Sequence, residues 1–179
     1  MKGIVFSLLE DAVTRTHGED VWDDLLDRAA LDGAYTSLGS YPDSDLFALV
    51  AAASAVTGDD PQAVIRWFGR AAMPTLAEAY PGFFEPHTDV RSFLQTLNDI
   101  IHPEVRKLYP GADVPTFGFS YAPDGTISMR YGSGRRMCSF AEGLIEGAAA
   151  HYGQIVHLDQ PTCMLRGDDW CTIEVRVEH

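Results

Sequence analysis

A chain of 179 residues, 46% hydrophobic and 22% charged, has the composition of one folded domain, or of one domain in two lobes, and its ten prolines are too scattered to form a linker. The net charge of −13, from 26 acids against 13 bases, repels phosphate backbones and anionic lipid, which excludes nucleic acid and membrane surfaces as general partners. Three cysteines, Cys138, Cys163 and Cys171, are an odd number and argue against a secreted disulfide framework.

The apolar run Gly3-Ile4-Val5-Phe6-Ser7-Leu8-Leu9 is too short to span a bilayer. Glu10 and Asp11 follow it where a signal peptide would carry small residues, so it reads as a helix start and the protein as cytoplasmic. Ile4, Val5, Leu8, Leu9 and Val13 at helical spacing predict a helix over 2–16; Val21, Leu25, Leu26 and Ala29 predict another over 20–31. Ser44 is the predicted N-cap of a helix over 45–57, and Asp59 or Asp60 that of a helix opening at Pro61. Pro81-Gly82 ends a further helical stretch. Residues 90–109 read as one long helix that Pro103 must kink or split.

Beyond Pro110 the apolar period changes from helical to alternating. Segments 116–122 and 126–131 flank Pro123-Asp124-Gly125, a hairpin signal. A helix is predicted over 135–151 and strands over 155–158 and 170–177, with Gly167 turning the chain between them. The fold class is therefore α+β in a single domain. A helical N-terminal lobe covers about residues 1–60, and the lobe over about 61–179 carries helices and a small antiparallel sheet.

His102 stands in an apolar helical context with Val90, Phe93, Leu94 and Leu97. Such a histidine can ligate heme iron, but on its own it describes a partly buried structural histidine equally well, which is the commoner case. Tyr131-Gly132-Ser133-Gly134-Arg135 joins a strand to a helix, and its phenol, hydroxyl and guanidinium can converge on one anion. A glycine-rich connection with a capping serine is the plainer reading. Arg130, Arg135 and Arg136 cluster in an acidic background, as an anionic ligand would require, or as solvated surface arginines. Glu142 and Glu146 at i, i+4 spacing read as a solvated face, and no nucleophile–base motif, phosphate loop or dinucleotide fingerprint occurs, so the chain is not read as an enzyme.

Together, a histidine late in a central helix, Pro115 a dozen residues on, and Tyr-x-Ser-x-Arg opening a helix resemble the H-NOX family, heme domains of bacterial sensors and of soluble guanylate cyclase. The opening Met1-Lys2-Gly3 and the run Phe140-Ala141-Glu142-Gly143-Leu144-Ile145-Glu146-Gly147 extend the likeness over the whole chain. The resemblance implies ferrous heme b held by His102, its propionates bound by Tyr131, Ser133 and Arg135, and Pro115 pressing on the porphyrin. Pro103, directly after the histidine, departs from the family pattern.

The same resemblance bears on ligand choice. Members that bind O₂ stabilise it with a tyrosine at the position that ungapped spacing gives to Phe140, which has no hydroxyl. One such hydrogen bond is worth about 1–3 kcal/mol, or about tenfold to a hundredfold in affinity. With Val5, Leu9 and Leu144, Phe140 would form an apolar wall that admits NO and CO and discriminates against O₂. Spacing alone describes these four residues as ordinary core. The implied partner is a histidine kinase or a cyclic-di-GMP enzyme, met through the acidic surface.

Cys138, Cys163 and Cys171 offer three thiolates to zinc, as in some bacterial relatives, where a histidine completes the site. That histidine is replaced here by Gln160, with His157 three residues further back as a substitute. The alternatives are reduced structural cysteines, or a thiol redox sensor on the same fold in which Cys163 and Cys171 join in a disulfide.

Overall fold

Apolar residues recurring every three or four positions wind the N-terminal chain into helices. The computed structural model describes residues 1–178. Helix α1 (Gly3–His17) buries Phe6, Leu8, Leu9, Ala12 and Val13. Helix α2 (Glu19–Ala29) buries Trp22 and Leu25 and turns Asp20, Asp23, Asp24 and Asp27 to solvent. Helix α3 (Asp43–Thr57) begins two residues before the predicted start, so Ser44 lies inside it and is not its cap. Its first residue is Asp43, whose carboxylate is held by the Met1 amine and by Arg135.

Helix α4 (Pro61–Ala79) is capped by Asp60, which accepts the Gln62 N–H at 2.8 Å. Pro81-Gly82 opens a short helix, α5 (Pro81–Phe84), instead of closing α4; proline at a first helical position forfeits a hydrogen bond that would be missing anyway. Residues 90–109 divide into α6 (Val90–Gln95), a π turn (Leu97–Ile101) and α7 (His102–Leu108). The break therefore lies ahead of Pro103.

Four antiparallel strands, β1 (Thr116–Tyr121), β2 (Ile127–Gly132), β3 (Val156–Thr162) and β4 (Cys171–Val177), form a sheet in the order β1-β2-β4-β3. Gly125, at φ 89°, turns the β1–β2 hairpin. Ile127, Met129, Tyr131, Cys171, Ile173 and Val175 face inward and pack with α8 (Cys138–His151). Helix α8 starts three residues later than predicted, which leaves Arg135 in the preceding turn.

Two apolar cores result. The first gathers α1, α2 and α3 with Val64, Ile65, Phe68 and Ala72 of α4; the second gathers the rest of α4, α6, α8 and the sheet. Helix α4 thus belongs to both, and it crosses α8 backbone against backbone. A Cβ on Gly143 would collide with the Arg66 carbonyl, and one on Gly147 would lie 2.6 Å from Met73 Cβ. Glu142, expected on a solvated face, is buried in this seam, with Arg66 Nη1 3.4 Å from its carboxylate and Glu146 2.6 Å from Arg66 Nη2.

Gly143→Ala should cost about 1–3 kcal/mol, because neither backbone can retreat without disturbing a core; the urea midpoint at unchanged m-value measures it. Burial pushes the Glu142 carboxyl above its ordinary 4.5, and Arg66 only partly opposes this. An acid whose folded pKa is raised stabilises the fold when protonated and loses that contribution as pH rises through the shifted value. Glu142→Gln should therefore raise the melting temperature at pH 7, with the gain vanishing below about pH 4.5, as a pH series of thermal melts will show.

Candidate functional site

Between α1, α4, α7, α8 and the sheet lies a cavity of about 310 Å³, within the ~300–1,000 Å³ range of small-molecule sites. Its walls are almost wholly apolar: Met73 and Leu76 from α4, Phe93, Leu97 and Val105 from the α6–α7 segment, Phe117 and Met129 from the sheet. One imidazole enters this wall. His102 rests on Phe117 with ring centroids 5.7 Å apart. Burial, reinforced by Arg106 and weakly opposed by the Pro115 backbone, lowers its pKa to about 4. The ring is thus neutral at pH 7 and keeps a nitrogen lone pair for a metal.

Donors for an anion gather at the cavity edge. Tyr131 is buried beside Ser133, and Ser133 Oγ accepts the Arg135 backbone N–H at 3.2 Å. Arg135 Nε donates to Asp43 at 2.8 Å, and Nη1 donates to the Asp113 carbonyl and carboxylate at 2.7 and 3.1 Å. These acids fix the guanidinium plane and leave Nη2 without a partner among the described residues. Burial resists ionisation of Asp43, but the Met1 amine and Arg135 outweigh it and hold the carboxyl below its usual range.

Pro115, Val5, Phe140 and Leu144 also line the cavity, with Phe140 packed on Phe68 at a centroid distance of 4.8 Å. Leu9 does not. It is buried in the first core, and Leu8, on the same face as Ile4 and Val5, takes its place on the cavity wall. Of the three clustered arginines only Arg135 reaches the cavity: Arg130 lies 3.7 Å over the Trp170 ring, and Arg136 is exposed at φ 53°. Spacing gave no sign of two phenols here, Tyr80 and Tyr109, which line the cavity and hydrogen-bond to each other. Nor did it give Asp43 and Asp113, because the pairing of Asp43 with Arg135 spans 92 residues of chain.

Between the start of α8 and the sheet, Cys138, Cys163 and Cys171 are all reduced and buried in the second core. Cys163 Sγ lies 3.6 Å from Cys138 Sγ and 3.9 Å from Cys171 Sγ. Ligands at about 2.3 Å round a tetrahedral zinc are separated by about 3.8 Å, so the three sulfurs suit such an ion. His157 does not join them. Strand alternation turns it to solvent, where its Nε2 is 3.7 Å from Glu178. Gln160 lies against Cys138 instead, and its buried side-chain nitrogen has no hydrogen-bond partner among the described residues.

The sequence profile of the haem-NO-binding family matches residues 2–160. The chain belongs to the H-NOX family. An H-NOX protein of Shewanella oneidensis solved in its Fe(II)NO ligation state is 36% identical, with 100% of each chain covered and a TM-score of 0.93. The Fe(II)CO state of a Shewanella oneidensis H-NOX domain superposes at 0.90, with 36% identity over 100% of this chain and 99% of that one. An unliganded Fe(II) H-NOX protein of K. algicida superposes at 0.87, with 26% identity over 100% of this chain and 97% of the other. H-NOX domains are heme-based gas sensors, and this cavity has what heme requires: apolar walls for the ring, one neutral imidazole, and cationic and hydroxyl donors at one edge.

Proposed function

We propose that this domain senses NO and CO at ferrous heme b, discriminates against O₂, and regulates a partner signalling protein. The observation that carries the reading is the convergence of His102, the Tyr131-Ser133-Arg135 donors and the Phe140–Leu144 wall on one cavity. When bound, heme supplies the iron at which a diatomic gas is taken up. His102 holds that iron through a ring kept neutral by burial. Tyr131, Ser133 and Arg135 bind the propionates, with Asp43 and Asp113 orienting the guanidinium. Pro115, in the loop ahead of β1, lines the cavity and would press on the porphyrin.

Phe140 and Leu144 bring no hydrogen-bond donor to their part of the cavity, and of the Tyr80 and Tyr109 hydroxyls one donates to the other. NO and CO need no such donor, whereas bound O₂ does. The domain has no catalysis of its own in this reading, so its output passes to a histidine kinase or a cyclic-di-GMP enzyme in the cytoplasm. Its charge of −13 favours a basic docking patch on that partner. No helix among the described residues is long and apolar enough to cross a membrane.

A second reading is favoured by the sulfur geometry: a zinc site of Cys138, Cys163 and Cys171, with Gln160 or a water in the fourth place, doubling as a thiol redox sensor. Metal analysis of the purified protein should find one zinc per chain, lost in Cys163→Ala with heme content unchanged. Equal zinc in both proteins would overturn the site.

Absorption spectra of the reduced, heme-loaded protein under argon, with NO and in air test the main reading. The expected ferrous spectrum shifts with NO and is unchanged by air; a stable oxy spectrum would overturn the discrimination. Phe140→Tyr, which adds a donor, should strengthen O₂ binding by about tenfold to a hundredfold.

A further inference from the structure

The turn that precedes His102 is not α-helical. Ile101 N–H donates to Thr96 O at 3.0 Å, and His102 N–H donates to Leu97 O, both spanning five residues. In an unbroken α-helix, at about 100° per residue, His102 would point about 140° away from Leu97 and about 180° away from Phe93, both of which line the cavity. One extra residue in the turn subtracts about 100°, bringing His102 to within about 40° and 80° of them. The π turn is what puts the imidazole on the cavity face.

Two residues hold the turn open. Pro103 has no N–H, and in a straight helix its ring would strike the carbonyl of Asp99, four residues back; the wider turn moves that carbonyl aside. Asn98, inside the turn, donates from Nδ2 to the Phe117 carbonyl at 2.7 Å, and Phe117 is the residue on which the His102 ring rests. Turn and imidazole therefore share one anchor on β1. We propose that Asn98 and Pro103 are positioning residues: by holding the π turn they aim His102 into the cavity and set the strength of its bond to iron. This rests on the heme reading above, but the geometry of the turn can be tested without heme.

In ¹³C,¹⁵N-labelled heme-free protein, the scalar coupling across the hydrogen bond from His102 N–H should run to the Leu97 carbonyl, and in Pro103→Ala it should move to the Asn98 carbonyl. In ferrous heme-loaded protein, Pro103→Ala should lower the iron–imidazole stretching frequency and speed heme loss by at least about tenfold. Asn98→Ala should shift the stretch in the same direction. In a His102→Gly background supplied with free imidazole, Pro103→Ala should change neither quantity, because the ligand is no longer tethered to the turn. A coupling that stays on Leu97 in Pro103→Ala, or one that moves while the stretch stays constant, would overturn the proposal. Wild-type protein that takes up no heme would overturn the sensor reading, and is told apart because the coupling is read on heme-free protein.

Discussion

The close crossing of α4 and α8 is the constraint on which the other features hang. Glycines at 69, 143 and 147 let the two backbones touch, and no side chain separates them. Because α4 contributes to both cores, the crossing is also the join between the helical half and the sheet-bearing half. It aims Phe140 and Leu144 at the cavity from one face of α8, and it traps Glu142 beneath Arg66 on another. Buried charge in a seam this tight is held by one partly exposed arginine, which makes the seam specific in register at some cost in stability.

A second tie runs between the halves at the cavity edge. Arg135 reaches across to Asp43, the first residue of α3, and to Asp113 in the loop ahead of β1. In the proposed site the same guanidinium faces a propionate, so one side chain touches both the cofactor and the helical half. The charges there are few and partly buried, and salt screens such a pair less than it screens the exposed ion pairs of α1 and α2.

Most elements were legible because each obeys a local period: helical stripes in α1, α2 and α4, and alternation in the β1–β2 hairpin with a glycine at its turn. The errors fall where distant chain decides. Asp43 is the first residue of α3, its carboxylate held by Met1 and by Arg135, 92 residues away; Ser44, the predicted cap, lies inside the helix. Glu142 looks solvated until α4 covers it. Leu8 and Leu9 are equivalent to a periodicity count, and only the placing of the cavity distinguishes them. His157 and Gln160, three residues apart in β3, face opposite ways, and only the packing of α8 against the sheet decides which of them meets the thiols. The cavity residues were legible through family likeness and not through spacing, since His102 alone describes an ordinary core histidine.

Helix α8 begins at Cys138, whose sulfur lies against that of Cys163, and within two turns presents Phe140 and Leu144 to the cavity. A rigid rod cannot tilt at one end only. A rearrangement of the sulfurs that shifts the first turn would be felt by the wall of the proposed gas site, and any coupling free energy would be the same in both directions. If the redox or metal state of the cysteines tunes gas affinity by some factor, gas occupancy must tune the sulfur site by that factor, so the two sites would report on each other as a single instrument.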